Sequence, residues 1–153
     1  MRRIALFATL ALLAVAATAL AATSGTYRGT TDQGYKAYVK VNDGEVTSAN
    51  VPWTTKAKNC KPRDGYSIGN GKPYVYRSTD ANPIVSQGKA FTAHRHEVFK
   101  VRGGGKATID GRLSGSSSGK RATGKSVMVA KSNDSFGRHT CKRTVHFSVK
   151  LAG

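Results

Sequence analysis

The last strand-like stretch of the chain, residues 141–151, constrains the fold more than any other feature. Apart from Arg143, its alternate positions are apolar, and polar side chains separate them. The apolar set is Cys141, Val145, Phe147, Val149 and Leu151. A period of two is typical of a β-strand with one buried face. Because Cys141 shares the parity of the apolar set, we expect its side chain to face the core.

The first 21 residues have the anatomy of a secretory signal. Arg2 and Arg3 precede an apolar run from Ile4 to Leu20, and small residues surround Ala21. Residues 1–21 are therefore predicted to be a cleaved signal helix. Residues 22–153 would then be a single secreted or extracytoplasmic β domain with no membrane span. An uncleaved anchor is the alternative, since the run is nearly long enough to cross a bilayer.

Cys60 is the only other cysteine in the chain. Two cysteines in an exported protein usually pair, because the compartment outside the cytoplasm is oxidising. We therefore predict a disulfide between Cys60 and Cys141, which joins two distant segments. A zinc site is the weaker interpretation, since neither cysteine lies in a Cys-x-x-Cys spacing.

After the predicted signal, the sequence has the pattern of about eight short strands separated by turns, and it shows no helical periodicity. Asp43-Gly44 predicts a tight hairpin in which Val41 faces Val46. The apolar parity then switches, which indicates a β-bulge near Ser48. Residues 132–139 are expected to form a loop. The predicted fold class is all-β, a single antiparallel sandwich or barrel.

Several spaced residues carry a resemblance to a known group. They are Gly25-x-Tyr27-x-Gly29, Val39-x-Val41, the two cysteines, the glycines of the hairpin at 111–124 and Val145-x-Phe147-x-Val149. Together they resemble a group of small uncharacterised exported β-domain proteins of bacteria. The likeness spans nearly all of the predicted mature chain. It implies the fold and export but no activity, because these residues specify a scaffold.

Charge is the main functional clue. The chain has 25 lysines and arginines against 8 acidic residues, a formal net charge of +17 that falls to +15 when Arg2 and Arg3 leave with the signal. Such an excess favours anionic surfaces and polymers, and its effect weakens as salt rises. It says nothing about the fold.

Basic residues flank both cysteines, so a disulfide would gather them into one patch. The patch is predicted to contain Lys56, Lys58, Lys61, Arg63, Arg138, Lys142 and Arg143, with His139 beside them. Its expected partner is an anionic envelope or extracellular polymer, and nucleic acid would be bound without sequence specificity. The alternative is dispersed, solvated charge with no common site.

Two further constellations are weaker candidates. Tyr74 and Tyr76 could form an aromatic platform for sugar rings or unstacked bases, or could simply fill the core. His94 and His96 share one face of a strand, but a zinc site needs a third protein ligand. We therefore predict no metal and no cofactor.

Signals of catalysis are sparse. Asp43 and Asp64 each precede a glycine in a turn, and no pair of carboxylates suggests an acid and a base. The glycines at 103–105 lead into a strand rather than a helix, so they indicate a hairpin and not a phosphate loop. The leading hypothesis is a non-catalytic exported binding domain. The alternatives are a small-ligand carrier or protein inhibitor with a β-barrel pocket and, third, a hydrolase; no oligomeric state is specified.

Overall fold

The computed structural model describes residues 21–62, 73–77, 82–100, 105–134 and 137–153. The predicted signal as far as residue 20, Arg63, Asp64 and the glycines at 103–104 lie outside this part of the chain. No helix in the described part is long and apolar enough to cross a membrane.

The described residues form ten strands and one short 3₁₀ turn. The strands are β1 (Gly25–Thr31), β2 (Lys36–Asn42), β3 (Glu45–Trp53), β4 (Cys60–Lys61), β5 (Tyr74–Arg77), β6 (Val85–Gln87), β7 (Ala90–Lys100), β8 (Lys106–Ser118), β9 (Arg121–Asp134) and β10 (Gly137–Leu151). The 3₁₀ turn, Ala57–Asn59, leads directly into β4. The strand-rich pattern expected from the sequence is therefore confirmed, although two more strands form than were predicted.

All ten strands belong to one antiparallel sheet. Its order is β5-β3-β2-β1-β10-β9-β8-β7-β6, and β4 pairs separately with β10. The sheet curls until its two ends approach, where the backbone N–H of Val46 in β3 donates to Ser86 Oγ in β6 over 3.3 Å. No ladder of backbone hydrogen bonds joins these ends among the described strands, so the sheet is not closed into a barrel.

The inner face of this curled sheet packs on itself. One apolar cluster joins residues of its first half, such as Val39 and Trp53, to residues of its second half, such as Phe91, Leu113 and Val145. All five side chains are almost fully buried. The other face of the sheet is turned to solvent, because side chains alternate between faces along every strand.

The hairpin between β2 and β3 matches its prediction. Asp43 and Gly44 have φ values of 49° and 80°, which a two-residue turn of this kind requires. Val41 faces Val46, whereas Lys40 faces Ser48, so one residue of β3 is left over. The β-bulge predicted near Ser48 is therefore confirmed.

The loop predicted at residues 132–139 is wrong. Strand β9 continues to Asp134, β10 already begins at Gly137, and Ser132 pairs with His139 across the two strands. Both of these side chains point inward and are buried. Because polar residues occupy inward positions here, the apolar period that marks a strand is missing from the sequence.

Candidate functional site

Strand β10 carries a line of basic side chains on the outer face of the sheet. Arg138, Lys142, His146 and Lys150 follow one another at intervals of four residues, and all are exposed. An even spacing keeps them on the same face of a strand, and a rise of about 3.4 Å per residue spreads them over roughly 40 Å. A long anionic chain could therefore contact several of them at once.

Strand β9 adds a second line beside the first. Arg121 lies opposite Lys150, and Lys125 lies opposite His146, in the register of the two strands. Lys131 lies opposite Thr140, and all three β9 cations are exposed. Like charges in directly opposed positions destabilise a sheet. The opposed cations Arg121 and Lys150 therefore lower the stability of the free protein, an effect that a bound anion would reverse.

The strands on the other side of β10 extend the same surface. Arg28 of β1 lies opposite Lys150, and Lys61 of β4 lies opposite Thr140. We call the whole set the basic stripe. It consists of Arg28, Lys61, Arg121, Lys125, Lys131, Arg138, Lys142, His146 and Lys150.

Acidic residues do not neutralise the basic stripe. No outward position of β9 or β10 that the structure describes carries an aspartate or glutamate. The two ion pairs within the described ranges lie elsewhere: Arg95 pairs with Glu97 on the inner face, and His96 pairs with Asp110 on β7 and β8. The field above the stripe is therefore positive along its whole length.

The disulfide predicted from the two cysteines is present. The sulfur atoms of Cys60 and Cys141 lie 1.96 Å apart, and the two residues are direct partners in the pairing of β4 with β10. This link holds β4 against β10, so that Lys61 lies beside Thr140 on the outer face.

The structure divides the patch predicted around the cysteines. Lys61, Arg138 and Lys142 come together on the outer face around Thr140, within the basic stripe. Lys56 and Lys58 are exposed in the segment before β4, and Arg63 lies outside the described residues. Two other neighbours of Cys141 point inward, since His139 is buried and Arg143 is half-buried.

The outer face is not flat next to the basic stripe. A hollow of about 540 Å³ is lined by Lys125, His146 and the strand residues around Gly115 and Gly124, which face each other across β8 and β9. A second hollow of about 570 Å³ continues from Lys125 towards Arg112. Lys125 borders both hollows, so an anion seated in either one would contact it.

The tyrosines predicted as an aromatic platform lie on β5. Tyr74 is half-buried and packs against the core, with its ring centroid 5.4 Å from that of Trp53. In the strand pairing Tyr76 lies opposite Val51, and its side chain is outside the described set. The Tyr74 ring is thus occupied by packing against Trp53.

The two histidines considered for a metal site are exposed on β7. His96 Nδ1 lies 2.7 Å from Asp110 Oδ1, and this hydrogen bond lowers the pKa of the Asp110 carboxyl. His94 lies one pair further along, opposite Arg112. Within the described ranges, no three histidine, cysteine or acidic side chains are grouped so as to hold a metal ion.

Ser117 lies in a sequence motif that some hydrolases use for their nucleophile. The run Gly115–Gly119 reads Gly-x-Ser-x-Gly around Ser117. In a hydrolase this pattern forms a sharp strand-to-helix turn that exposes the serine. Here it lies along β8 and the turn into β9, and the Ser117 side chain is buried. This serine therefore does not form a nucleophile elbow.

Comparison with known proteins adds no relative. No protein-family model, curated protein or solved structure matches this chain.

Sequence reasoning missed part of the basic stripe. Arg28, Arg121, Lys125, Lys131, His146 and Lys150 were not assigned to the predicted basic patch. Their alternation with apolar residues in β9 and β10 is visible in the sequence and indicates an outward face. Their adjacency is not visible there, because it depends on the register between strands.

Proposed function

We propose that this protein is an exported, non-catalytic domain that binds anionic polymers of the cell envelope or extracellular space through the basic stripe. The observation that carries the proposal is the row formed by Arg28, Lys150 and Arg121, which places three cations in directly opposed positions on adjacent strands. Neighbouring strands lie about 4.8 Å apart. Repulsion between the three cations raises the free energy of the unbound protein. A polyanion bound across the row would relieve this repulsion, which favours binding.

Export is part of the same proposal. The basic and apolar character of residues 1–21 supports a cleaved signal helix. The Cys60–Cys141 disulfide is compatible with folding outside the cytoplasm. A mature domain secreted into this compartment would meet polyanionic envelope and matrix components.

Affinity would come mainly from release of counterions. Each cation that neutralises a charge on a polyanion releases a condensed ion, so the logarithm of the binding constant falls linearly with the logarithm of salt concentration. Side chains spread over roughly 40 Å of β10 allow several such contacts at once. Binding should be strong at low salt and should be lost steeply as salt rises.

The test uses heparin as the probe and a charge-matched pair of variants. The stripe variant changes Arg121, Lys125 and Lys150 to glutamine. The control variant changes Lys40, Lys89 and Lys100, which are exposed but lie outside the stripe, to glutamine. Both lose three positive charges. Binding constants are measured by titration over a range of salt concentrations.

We expect the salt slope of the stripe variant to fall by about 2 to 3 units, since each contact contributes roughly 0.7 to 0.9. The slope of the control variant should fall by less than about 1 unit. Equal losses in the two variants would mean that net charge, rather than the stripe, causes binding. That result would contradict the proposal.

A further inference from the structure

One row of outward side chains crosses five neighbouring strands on the outer face of the sheet. From β3 to β9 its members are Asn50, Tyr38, Arg28, Lys150 and Arg121, and each is the direct partner of the next. Neighbouring strands lie about 4.8 Å apart, so the row is roughly 19 Å long. Its three cations belong to the basic stripe. An aromatic ring and an amide therefore continue the line of positive charge.

Tyr38 presents its side chain to solvent. Strand β2 alternates between exposed and buried positions, and Tyr38 lies at one of the exposed positions with 41% of its surface accessible. The side-chain amide of Asn50 donates to the Tyr38 hydroxyl over 3.4 Å. Because Asn50 belongs to β3, the tip of the ring is directed towards β3 and away from Arg28 on β1.

A hollow of about 750 Å³ lies beside this ring, over β1 and β2. Two cross-strand pairs line it, Arg28 with Tyr38 and Thr30 with Lys36. None of its described lining residues belongs to β3. The volume is in the range of about 300–1,000 Å³ that is typical of sites for small ligands or single units of larger ones.

The hollow combines positive charge with an aromatic surface and a hydroxyl group. Arg28 and Lys36 are diagonal neighbours across it, with Cα atoms about 7–8 Å apart. Strands β1 and β2 contain no aspartate or glutamate. Thr30 adds a neutral group that can donate or accept a hydrogen bond. A ligand that fits this lining carries an anionic group, an apolar face and hydroxyl groups on one unit.

We propose that this hollow is the subsite for one sugar ring of an acidic polysaccharide, a polymer with carboxylates on its sugar units. The inference rests on the proposed function and names the class of polymer that the basic stripe binds. The apolar face of the sugar packs on the Tyr38 ring, and its carboxylate pairs with Arg28 or Lys36. Further units along the row reach Lys150 and Arg121.

The same lining fits other polyanions less well. Inorganic polyphosphate has no ring that could pack on Tyr38. Single-stranded nucleic acid is usually held by several aromatic side chains on which successive bases stack. Tyr38 is the one aromatic residue at the described outward positions of β1, β2, β9 and β10. One ring among several cations therefore favours a sugar chain.

The test compares polygalacturonate, inorganic polyphosphate and oligothymidylate of matched charge as probes. Binding constants are measured by titration over a range of salt concentrations for the wild-type protein and three variants. Tyr38→Ala removes the ring, and Tyr38→Phe keeps it. Tyr35→Ala is the matched control, since it removes a half-buried tyrosine from the turn before β2, outside the hollow.

We expect Tyr38→Ala to weaken polygalacturonate binding roughly five- to fiftyfold, the effect of losing one stacking contact. The salt slope should stay the same, because no charge is lost. Polyphosphate binding by Tyr38→Ala should change by less than about twofold. Tyr38→Phe and Tyr35→Ala should keep the polygalacturonate affinity of the wild type within the same margin.

The outcomes that overturn the sugar subsite differ from those that overturn the proposed function. The subsite is wrong if Tyr38→Ala binds polygalacturonate as well as the wild type does, or if it loses polyphosphate affinity equally. A loss of oligothymidylate affinity as large as that for polygalacturonate would assign the ring to a base instead of a sugar. In each case a steep salt slope of the wild type would still support the basic stripe, whereas no binding of any probe at low salt would overturn both proposals.

Discussion

Two glycines show how single residues shape the centre of the sheet. Gly115 of β8 and Gly124 of β9 face each other on the inner face. The rings of Phe91 and Phe147, 6.5 Å apart between centroids, occupy the space that side chains at these positions would take. A β-carbon on Gly124 would overlap the ring of Phe147 and the backbone oxygen of Ser114. The glycines therefore allow two large rings to pack directly on the backbone.

This contact predicts the effect of Gly124→Ala. Because one of the overlapping atoms belongs to the backbone, the sheet must shift to admit a methyl group. We expect a loss of about 1–3 kcal/mol in the free energy of unfolding, as in other overpacked cores. Thr123→Ala, at the exposed neighbouring position, should change stability by no more than about 0.5 kcal/mol. Denaturant titration of both variants measures the difference, and equal stabilities would refute the packing argument.

Sequence patterns predict the apolar inward residues better than the polar ones. Val145, Phe147 and Val149 were placed inward by their alternation, and all three are buried. His139 is buried on the same face, although its side chain is polar. In the sequence, a polar residue that faces the core looks the same as a polar residue that faces solvent. Only the apolar residues of a strand show which of its faces packs on the core.

At the scale of elements, β10 is the strand that organises the sheet. It pairs with β9 along its length, and its other edge pairs with β1 near one end and with β4 near the other. Strand β4 has only two residues, Cys60 and Lys61, too few for stable pairing by themselves. The disulfide to Cys141 supplies the missing restraint.

We therefore predict a large effect of removing this disulfide. Cys60 and Cys141 are 81 positions apart, and closing a loop of that size stabilises a protein by about 4 kcal/mol in the chain-entropy model. Reduction should lower the denaturation midpoint of the wild-type protein to that of Cys60→Ala/Cys141→Ala. Denaturant curves with and without a reducing agent measure this shift.

The double variant is its own control, since its midpoint should not respond to the reducing agent. If the wild-type midpoint is also the same in both conditions, the disulfide does not stabilise β4 against β10. The position of Lys61 in the basic stripe would then need another explanation.

At the scale of the whole molecule, the two ends of the sheet meet without forming a ladder. The bond from the Val46 N–H to Ser86 Oγ joins β3 to β6. A side-chain hydrogen bond of this kind contributes about 1 kcal/mol. The curled shape therefore depends mainly on the apolar cluster that the inner face encloses, and only slightly on this contact.

Ser86→Ala tests this description of the junction. We expect hydrogen exchange of the Val46 amide to accelerate roughly fivefold, which corresponds to about 1 kcal/mol. The Val39 amide, which belongs to the interior of the sheet, should keep its rate. Ser148→Ala on exposed β10 is the matched control and should leave both rates unchanged. An unaltered Val46 rate in Ser86→Ala would show that the two ends do not depend on this bond.

The sequence by itself determined the local features of this protein. Alternation predicted β10 from Cys141 onward, and Asp43-Gly44 predicted the hairpin. The switch in apolar parity after Val46 predicted the bulge, and the count of cysteines predicted the disulfide. Each of these depends on residues close together in the chain or on the chemistry of one residue type. Such information is present in any single sequence.

Tertiary structure alone decided which side chains become neighbours. The basic stripe requires Arg28, Arg121 and Lys150 to share one row, which the pairing of β1 and β9 with β10 provides. These adjacencies follow from the register between strands, and a shift of one residue would move every side chain to the other face. Register is set by the packing of the whole core, so no local pattern contains it.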